Sequence, residues 1–353
     1  MKKILHIAEP FATGVLSFLL DITKCQVEDF EVYIAYGIRP LTPENVQGLF
    51  DKRINFIKVD SFNGAIGTVL NPHAYKEINK LFHEIKPDIV HLHSSASGFV
   101  GRWSIPCRKV KMFYTPHGYS FLMKDGSKLK NKFFLLMEYI SAMKGATTVA
   151  CSKGEYNEAL KLPGKSTYVN NGINIEQLQE YVTEKDRIDS NPIVCTSGRI
   201  CYQKNPKLFN EVAELLPNIK FVWIGQGEMD YELKAPNIEV TGWLSREDAL
   251  KIMSNVNFFM LTSLWEGLPI SLLEAMYLKN ICLVSNVIGN NNVIQNGENG
   301  FICNNALEFV NIIDSFVNHR NNFEHIIDKA HREVIENYNR DLMAKRYNDI
   351  YLK

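Results

Sequence analysis

The sequence lacks several features that would place it in other classes of protein. Its seven cysteines are scattered and contain no Cys-x-x-Cys pair, which argues against a zinc site or a disulfide framework and favours a reducing compartment. The formal net charge is +0, so the overall charge does not favour nucleic-acid binding. No apolar run approaches the length of a transmembrane helix, and there is no internal repeat.

The N-terminus is apolar but does not have the pattern of a signal peptide. His6, Glu9 and Pro10 interrupt the apolar run soon after it begins, whereas a signal peptide has a longer apolar core. The stretch is instead typical of a first buried β-strand. We therefore expect a cytoplasmic protein.

Length and patterning predict two α/β domains. A chain of 353 residues is too long for one compact core, and alternating strand and helix patterns favour βα units with parallel sheets. Residues 183–191 are polar and without periodicity, so they are the predicted linker. The predicted domains are residues 1–182 and 192–336, each doubly wound. The last predicted strand is 281–285, with helices filling most of the chain after it.

Residues 264–276, LWEGLPISLLEAM, contain two glutamates eight positions apart, Glu266 and Glu274. Pro269 suits the first turn of a helix. Glu266 is therefore expected on the loop before this helix, and Glu274 more than one turn inside it.

The start of this helix can hold an anion, because the N–H groups of a first turn have no partner within the helix. The flanking carboxylates would bind hydroxyls rather than phosphate. A ligand with phosphate in the middle and polyols at both ends is a nucleotide-sugar. The alternative is an ordinary helix start with an incidental acid.

Other chemically useful residues also follow predicted strands. In a doubly wound sheet, ligands bind outside the carboxyl ends of the strands. The residues found there are Gly14, His117, Gly118, Arg199, Lys204, Gly225, Gly227 and Glu266.

Seven short motifs follow one another along nearly the whole chain. They are YTPHG at 114–118, ACSKGE at 150–155, NNGIN at 170–174, SGRICYQKNP at 197–206, IGQGE at 224–228, VTGWL at 240–244 and LWEGLPISLLEAM at 264–276. In this order they resemble the motifs of retaining glycosyltransferases of family 4. One departure is the first loop, where Ala12-Thr13-Gly14 supplies one glycine in place of a Gly-Gly pair.

The resemblance implies the GT-B fold: two Rossmann-like domains facing across a cleft, with a C-terminal helix at about 337–353 crossing back to the first domain. It implies metal-independent, retaining transfer of a hexose or N-acetylhexosamine from a nucleotide-sugar, with UDP preferred. The acceptor would be a hydroxyl of a glycan or lipid-linked intermediate in bacterial surface polysaccharide synthesis, such as O-antigen or capsule. No cofactor and no nucleic-acid partner is expected.

The resemblance also implies four catalytic residues. Arg199 and Lys204 match the pair that grips the donor pyrophosphate, where fixed cations stabilise the charge that the leaving group gains. Because the sequence has no Asp-x-Asp pair, these cations would replace a metal. Glu266 matches the residue that orients hydroxyls of the transferred sugar, and His117 a residue near that sugar and its phosphate. The alternatives are solvated surface cations and a histidine satisfied within a turn.

The predicted donor-binding residues are the other matched positions: Gly14, Gly118, Asn171, Gly225, Gly227, Trp243, Leu244, Gly267, Leu268, Pro269, Ile270 and Glu274. Glu274 matches the residue that accepts hydrogen bonds from the ribose hydroxyls. Trp243 lies in the segment that holds the base, but a core position is the alternative for this side chain.

Two further stretches have two interpretations each. His91 and His93 alternate on a predicted strand and project to one face; no nearby carboxylate or cysteine completes a metal set, which favours a structural or acceptor-side role. Residues 124–144 mix lysines with apolar residues, which is typical of a helix on an anionic membrane or of a core helix with solvated lysines.

Three functions are compatible with these residues. A glycosyltransferase is the first. A sugar-nucleotide epimerase on the same fold is the second, and it would need acid and base groups facing the sugar ring. The third is a non-catalytic protein that binds nucleotide-sugars, against which the intact set Arg199, Lys204, Glu266 and Glu274 argues.

Overall fold

The computed structural model describes residues 1–123, 128–182, 192–318 and 323–353. They form two compact units, one containing residues 1–122, 128–172 and 340–353, the other the described residues of 173–339. Each unit is built on one parallel sheet, which confirms the predicted α/β class. The predicted linker, residues 183–191, lies outside the described residues.

The first unit has a seven-stranded sheet. Its strands are β1 (Lys2–Ala8), β2 (Phe30–Tyr36), β3 (Asn55–Lys58), β4 (Ile89–His93), β5 (Lys111–Thr115), β6 (Thr147–Ala150) and β7 (Ser166–Tyr168). They lie in the order β3-β2-β1-β4-β5-β6-β7. The order reverses direction between β1 and β4, and such a switch point opens a crevice at the carboxyl ends of the two strands.

Helices cover both faces of this sheet. They are α1 (Thr13–Gln26), α2 (Ala65–Leu70), α3 (Pro72–Ile85), α4 (Ser94–Ser104), α5 (Lys128–Ala142) and α6 (Lys153–Ala159). Local sequence explains the start of α3, because the Asn71 side chain accepts a hydrogen bond from the His73 N–H and Pro72 occupies the first turn. Lys86, in the left-handed conformation, ends the helix.

The second unit repeats the plan with six strands. Its elements are α7 (Ile175–Gln179), β8 (Ile193–Ser197), α8 (Pro206–Leu215), β9 (Lys220–Ile224), β10 (Ile238–Val240), α9 (Arg246–Ser254), β11 (Phe258–Leu261), α10 (Ile270–Tyr277), β12 (Ile281–Ser285), α11 (Asn290–Val293), β13 (Phe301–Cys303), α12 (Ala306–Asn318) and α13 (Glu324–Asn337). The strand order is β10-β9-β8-β11-β12-β13, with the switch point between β8 and β11.

The last helix, α14 (Arg340–Leu352), belongs to the first unit, as predicted. Tyr347 and Tyr351 are fully buried in the core that also contains Phe18 and Phe30. Gly172 is the last residue of the first unit before the chain enters the second, where the Ile173 N–H donates to the Tyr338 carbonyl.

One strand and one boundary differ from the sequence predictions. β13 was not predicted, because three residues are too few to show a strand pattern; it is a strand because Phe301–Cys303 pairs in parallel with residues 283–285 of β12. Pro269 is the residue before α10 and not part of its first turn. Among the described residues, no helix combines the length and apolar character needed to cross a membrane.

Candidate functional site

The loops after β8 and β11 meet at the switch point of the second sheet. Lys204 Nζ lies 2.7 Å from Glu266 Oε1, and the two side chains are only 17% and 9% exposed. The Ser263 hydroxyl donates to the same carboxylate oxygen at 2.7 Å. Two predicted catalytic residues, Lys204 and Glu266, are thus in contact. The same Glu266 oxygen accepts hydrogen bonds from both Lys204 and Ser263.

Backbone contacts hold these two loops in place. The Leu264 N–H donates to the Gln203 carbonyl at 2.8 Å, and Gln203 Nε2 donates to the Trp265 carbonyl at 3.0 Å. The Thr262 hydroxyl donates to the Lys204 carbonyl at 2.7 Å. No local sequence pattern points to Gln203, because its role depends on a loop that lies 62 positions away.

Arg199, the second cation of the predicted pair, does not contact Glu266. Its guanidinium pairs with Glu228, with contacts of 2.9 and 3.0 Å, and the two side chains are 51% and 55% exposed. Exposed pairs of this kind contribute at most about 1 kcal/mol. Arg199 can therefore exchange Glu228 for an anionic ligand at little cost.

Gly225 and Gly227 have a packing role that the sequence did not reveal. A Cβ added to Gly225 would lie 2.2 Å from the Gly198 carbonyl oxygen, and one added to Gly227 would lie 2.1 Å from that of Ile200. Any side chain would therefore separate the loop after β9 from the loop after β8. Their expected closeness to a ligand stays a prediction.

The amino end of α10 is suited to an anion. Among the described side chains, none caps this helix, so the N–H groups of its first residues, Ile270 and Ser271, remain available. Gly267 and Leu268 lead into it, and Leu268 is buried. Gly289 packs against this turn, since a Cβ there would lie 2.6 Å from the Gly267 carbonyl oxygen.

Glu274 lies one turn inside α10 and is nearly buried. Burial raises the pKa of its carboxyl group, and the charge and hydrogen bond of Arg246 oppose that rise. The Arg246 guanidinium is 2.7 Å from Glu274 Oε1. No local sequence pattern points to Arg246, because it is the first residue of α9 and distant from Glu274 in the chain.

Trp243 is not a core residue. Its side chain is 45% exposed, and that of the following Leu244 is 37% exposed. Gly242 has a φ of +73°, which favours glycine at this turn. The exposed indole contradicts the core interpretation, and the ligand-binding role stays a prediction.

In the first unit, His117 and Gly118 form a turn after β5, with φ values of +54° and +97°. A left-handed histidine is uncommon and needs support from its surroundings. Glu155 supplies it, because its carboxylate accepts the Gly118 N–H at 2.6 Å and the Cys151 N–H at 2.8 Å. Burial raises the pKa of Glu155, and these N–H groups oppose the rise.

Glu155 was missed, although a local signal was present. Ser152 and Glu155 form a Ser-x-x-Glu capping pair, in which the Ser152 hydroxyl accepts the Glu155 N–H at 3.1 Å. Asn171, another predicted residue, is buried nearby, and its backbone N–H donates to the Cys151 carbonyl at 3.2 Å. Gly14 is exposed at the start of α1.

His91 and His93 project to one face of β4, as predicted, and their ring centroids are 4.1 Å apart. His6 joins them, because β1 pairs with β4 in a register that places His6 beside His91. In the part of the chain that the structure describes, these three histidines are the one group whose ligand atoms lie within 4.8 Å of one another.

This cluster is better suited to hydrogen bonds than to a metal. All six ring nitrogens already have partners: His6 bonds Gln26 and His93, His91 bonds Thr115 and Tyr351, and His93 bonds His6 and His117. A metal would need a free nitrogen from each ring. Burial lowers the pKa of all three imidazoles, to about 4 for His6.

Two protein-family models match successive parts of the chain. The model described as Glycosyltransferase Family 4 matches residues 12–177, and the model described as Glycosyl transferases group 1 matches residues 179–338. The two matches divide near the boundary between the compact units.

Three similar proteins have assigned activities or bound ligands. A UDP-Gal:alpha-D-GlcNAc-diphosphoundecaprenol alpha-1,3-galactosyltransferase of Escherichia coli is 32% identical over 272 residues, which cover 68% of this chain and 67% of that protein. An N,N'-diacetylbacillosaminyl-diphospho-undecaprenol alpha-1,3-N-acetylgalactosaminyltransferase of Campylobacter jejuni is 26% identical over 196 residues, covering 51% of this chain and 52% of that protein. The structure of Anabaena HepE with UDP and glucose is 16% identical, with a TM-score of 0.79 and 99% of each chain covered.

Proposed function

Because this chain belongs to the family 4 (group 1) glycosyltransferases and has their GT-B fold, we propose that it transfers a sugar from a UDP-sugar to a hydroxyl of a lipid-linked glycan, with retention of configuration. The observation that carries this proposal is the Lys204–Glu266 pair beside the uncapped start of α10. It places a cation, a carboxylate and free N–H groups at one switch point.

The donor phosphates would bind at the start of α10. The N–H groups of Ile270 and Ser271 point toward the preceding loop and favour negative charge. Lys204 would move from Glu266 to a phosphate oxygen, and Arg199 would leave Glu228 for the same ligand. Releasing Lys204 frees the Glu266 carboxylate to accept hydrogen bonds from the transferred sugar.

The nucleoside would lie farther along the same unit. Glu274 would accept hydrogen bonds from the ribose hydroxyls, and Arg246 favours the ionised form of this buried carboxyl group, which is the stronger acceptor. The exposed Trp243 and Leu244 provide an apolar surface for the base. UDP is supported by the E. coli relative's donor and by the ligand of the Anabaena structure.

The proposed reaction breaks the bond between the sugar C1 and the phosphate oxygen and forms a bond from C1 to the acceptor oxygen on the same face. The acceptor proton passes to the leaving phosphate oxygen, so no separate general base is needed. Arg199 and Lys204 stabilise the charge that develops on the diphosphate, which would make the reaction independent of a divalent metal.

A lipid-linked acceptor is proposed because both named relatives use undecaprenyl diphosphate-linked substrates. Such acceptors take part in bacterial surface polysaccharide synthesis, and they require the enzyme to reach a membrane surface. The helix α5 offers a surface for that contact.

The outer side of α5 is both apolar and basic. The core interpretation of this helix is wrong, because the side chains of Leu129, Phe133, Leu135, Leu136, Tyr139, Ile140 and Met143 are exposed. Lysines 128, 130, 132 and 144 are exposed on the same segment. Lys124 lies outside the described residues.

The inner side of α5 is anchored by a buried ion pair. Glu138 accepts from Arg102 at 2.9 Å and from the Tyr114 hydroxyl at 2.7 Å, with Arg102 and Glu138 almost inaccessible to solvent. An anchored helix with apolar side chains and lysines outward is suited to an anionic lipid surface.

The test of the proposed function has two stages. A melting-temperature screen against nucleotide-sugars should identify the donor, since a ligand that binds the folded state raises the melting temperature. The donor is then incubated with undecaprenyl diphosphate-linked sugars, and the products and their anomeric configuration are determined. Epimer formation without an acceptor would support the epimerase alternative, and binding without any product would support the non-catalytic one.

A further inference from the structure

A chain of hydrogen bonds leads from the interior of the first unit to His117. Gln26 Oε1 lies 2.8 Å from His6 Nε2, and His6 Nδ1 lies 2.9 Å from His93 Nε2. His93 Nδ1 lies 3.1 Å from His117 Nε2. Gln26, His6 and His93 are fully buried, whereas His117 is half-buried at the carboxyl end of β5.

Each imidazole in this chain carries a single proton at neutral pH. Burial lowers the pKa of His6 to about 4 and that of His117 to about 3, and it also lowers the pKa of His93 well below the usual value. A neutral imidazole has one nitrogen that donates and one that accepts. The position of one proton therefore determines the position of the next.

The amide oxygen of Gln26 gives the chain its direction. With the amide oxygen of Gln26 facing His6, rather than its amide nitrogen, His6 carries its proton on Nε2 and accepts on Nδ1, because an oxygen can only accept. His93 then donates from Nε2 and accepts on Nδ1. His117 must donate from Nε2, which leaves its Nδ1 as a bare acceptor.

His91 does not feed a proton into this chain. The Thr115 hydroxyl donates to the Val149 carbonyl and so accepts from His91 Nε2 at 2.8 Å. The remaining nitrogen, Nδ1, accepts from the Tyr351 hydroxyl at 2.6 Å. His91 thus bonds Thr115 and Tyr351 and makes no hydrogen bond to His6, His93 or His117, although its ring lies beside that of His93, with centroids 4.1 Å apart.

The orientation of His117 is supported from two sides. The Phe18 ring packs edge-on against it, with centroids 4.8 Å apart, and Glu155 holds the following Gly118 N–H. Within the described residues, no hydrogen bond is made to His117 Nδ1. The strained, supported turn thus presents an unused acceptor at a strand end, where ligands bind in this type of sheet.

We propose that Gln26, His6 and His93 are positioning residues that hold His117 with its proton on Nε2, so that its Nδ1 accepts a hydrogen bond from a sugar hydroxyl. This inference rests on the proposed function. A bare nitrogen attracts a hydroxyl and repels a phosphate oxygen, which has no proton to offer. His117 therefore selects for a hydroxyl at this point, and the phosphates are left to Arg199 and Lys204.

The test is 15N NMR of the imidazole nitrogens in the whole protein, because protonated and bare ring nitrogens have well-separated shifts. A His117→Asn variant assigns the His117 signals. We expect the wild type to show a protonated Nε2 and a bare Nδ1. A protonated Nδ1 on His117 would overturn the proposal, whether or not the protein transfers sugar.

Variants of Gln26 then test whether its amide oxygen anchors the chain by setting the direction of the hydrogen bonds. Gln26→Leu removes the acceptor that sets the direction, so both directions become populated and His117 Nδ1 is partly protonated. The kcat/KM for transfer should fall about two- to tenfold, as expected for one hydrogen bond. Gln26→Met, closer in length, is used if the leucine variant does not fold. An unchanged His117 tautomer in the folded variant would contradict the anchoring role.

Thr115→Val is the matched control. It removes a buried hydrogen bond from His91, outside the chain, and should leave the His117 tautomer unchanged; a change there would contradict the role of Gln26 in setting the direction.

Ligand titration identifies the hydroxyl. A shift of the His117 Nδ1 signal on adding the donor found in the melting screen assigns it to the transferred sugar, and a shift on adding the lipid-linked sugar alone assigns it to the acceptor. Either supports the proposal. No shift with both ligands bound would overturn it, while a lack of transfer with the tautomer intact would count against the proposed function only.

Discussion

Lys204 Nζ lies 2.7 Å from Glu266 Oε1, so the two residues proposed to bind different parts of the donor form an ion pair with each other. The pair neutralises two poorly exposed charges at the switch point between β8 and β11. A diphosphate that captures Lys204 would release Glu266 for the sugar, which links binding of the two ends of the donor.

Replacing Lys204 or Arg199 should reduce the rate of transfer by more than any loss of folding stability can explain. Lys204→Ala and Arg199→Ala should each lower kcat/KM by tenfold or more, since each loss of about 1.4 kcal/mol of transition-state stabilisation is tenfold. Steady-state kinetics measure this. Lys220→Ala, which breaks the exposed Lys220–Glu239 pair, is the control and should retain activity. Near-normal transfer by both variants would contradict the assignment of Arg199 and Lys204 to the donor diphosphate.

The same pair predicts a difference in stability between the two variants. Lys204→Ala leaves the nearly buried Glu266 without its cation, whereas Arg199→Ala breaks only an exposed pair. The melting temperature should therefore fall more for Lys204→Ala. Adding Glu266→Gln to Lys204→Ala should recover stability without recovering activity. Equal melting temperatures for the two single variants would contradict this account.

Transfer should not require a divalent metal. With Arg199 and Lys204 as the cations that meet the diphosphate, activity should persist after dialysis against EDTA. The measurement is the initial rate with and without chelator, followed by addition of Mn²⁺ or Mg²⁺. Loss of activity on chelation with recovery on adding Mn²⁺ would show that a metal shares this role. A rate that recovers only with Zn²⁺ would direct attention to His6, His91 and His93.

The two glutamates should separate nucleotide binding from sugar transfer. Glu274→Gln removes the charge that strengthens ribose hydrogen bonds and should weaken binding of UDP and of the donor alike. Glu266→Gln should leave UDP affinity nearly intact and depress kcat, because its contacts are to the sugar that changes in the transition state. Calorimetric titration with UDP measures both.

Arg246→Gln provides a further check on Glu274. Removing the guanidinium takes away the group that opposes the burial-induced rise in the pKa of Glu274. UDP affinity should then fall as the pH is lowered, because the neutral acid is the poorer acceptor. In the titrations of the two glutamate variants, a loss of UDP affinity in Glu266→Gln but not in Glu274→Gln would mean that the two ends of the donor are assigned in reverse.

The buried histidines should make the fold sensitive to acid. The pKa of His6 is about 4 in the folded state and about 6.5 when unfolded, so the unfolded state binds more protons between these values. The free energy of unfolding should therefore fall as the pH drops through this window, by about 3 kcal/mol from His6. Glu9, Glu155 and Glu274, with raised pKa values, act in the opposite direction.

Comparison of two variants isolates the contribution of His6 to the pH dependence of the free energy of unfolding. Urea unfolding of His6→Asn between pH 4 and pH 7 should show a shallower loss of stability on acidification than the wild type. Thr115→Val, which removes no titratable group, should lower stability by a similar amount at every pH. Identical pH dependence of His6→Asn and the wild type would contradict the assignment.

The outer side of α5 should bind anionic lipid. Wild-type protein should sediment with phosphatidylglycerol vesicles and much less with phosphatidylcholine vesicles. Replacing Lys128, Lys130 and Lys132 with Gln should weaken this binding on the order of 100-fold, at about 1 kcal/mol for each lysine. Replacing Leu129, Phe133 and Leu136 with Ser should weaken it on both kinds of vesicle.

The matched control replaces three exposed lysines on or next to α3, which are Lys76, Lys80 and Lys86. If lipid binding follows the loss of positive charge anywhere on the first unit, this variant will bind as weakly as the α5 variant, and the proposed surface is wrong.

Much of the fold follows from local pattern. Continuous apolar runs identify most strands of both sheets, because strands of a parallel sheet are buried on both faces. β13 was missed because three residues carry too little pattern, and Pro269 was placed one residue too far into α10. The sequence was compatible with two interpretations of α5, a membrane-surface helix and a core helix, because composition does not show which face of a helix is buried in the protein.

The residue types of the candidate site and their positions after strands follow from local pattern, because a βα unit brings the end of each strand to the same edge. Which of these residues contact one another depends on the three-dimensional arrangement of the strands and loops. Lys204 and Glu266 pair because two loops separated by 62 positions converge at a switch point, and His6 reaches His93 because of the register between β1 and β4. Strand order and register depend on contacts along the whole chain, so no local pattern contains them.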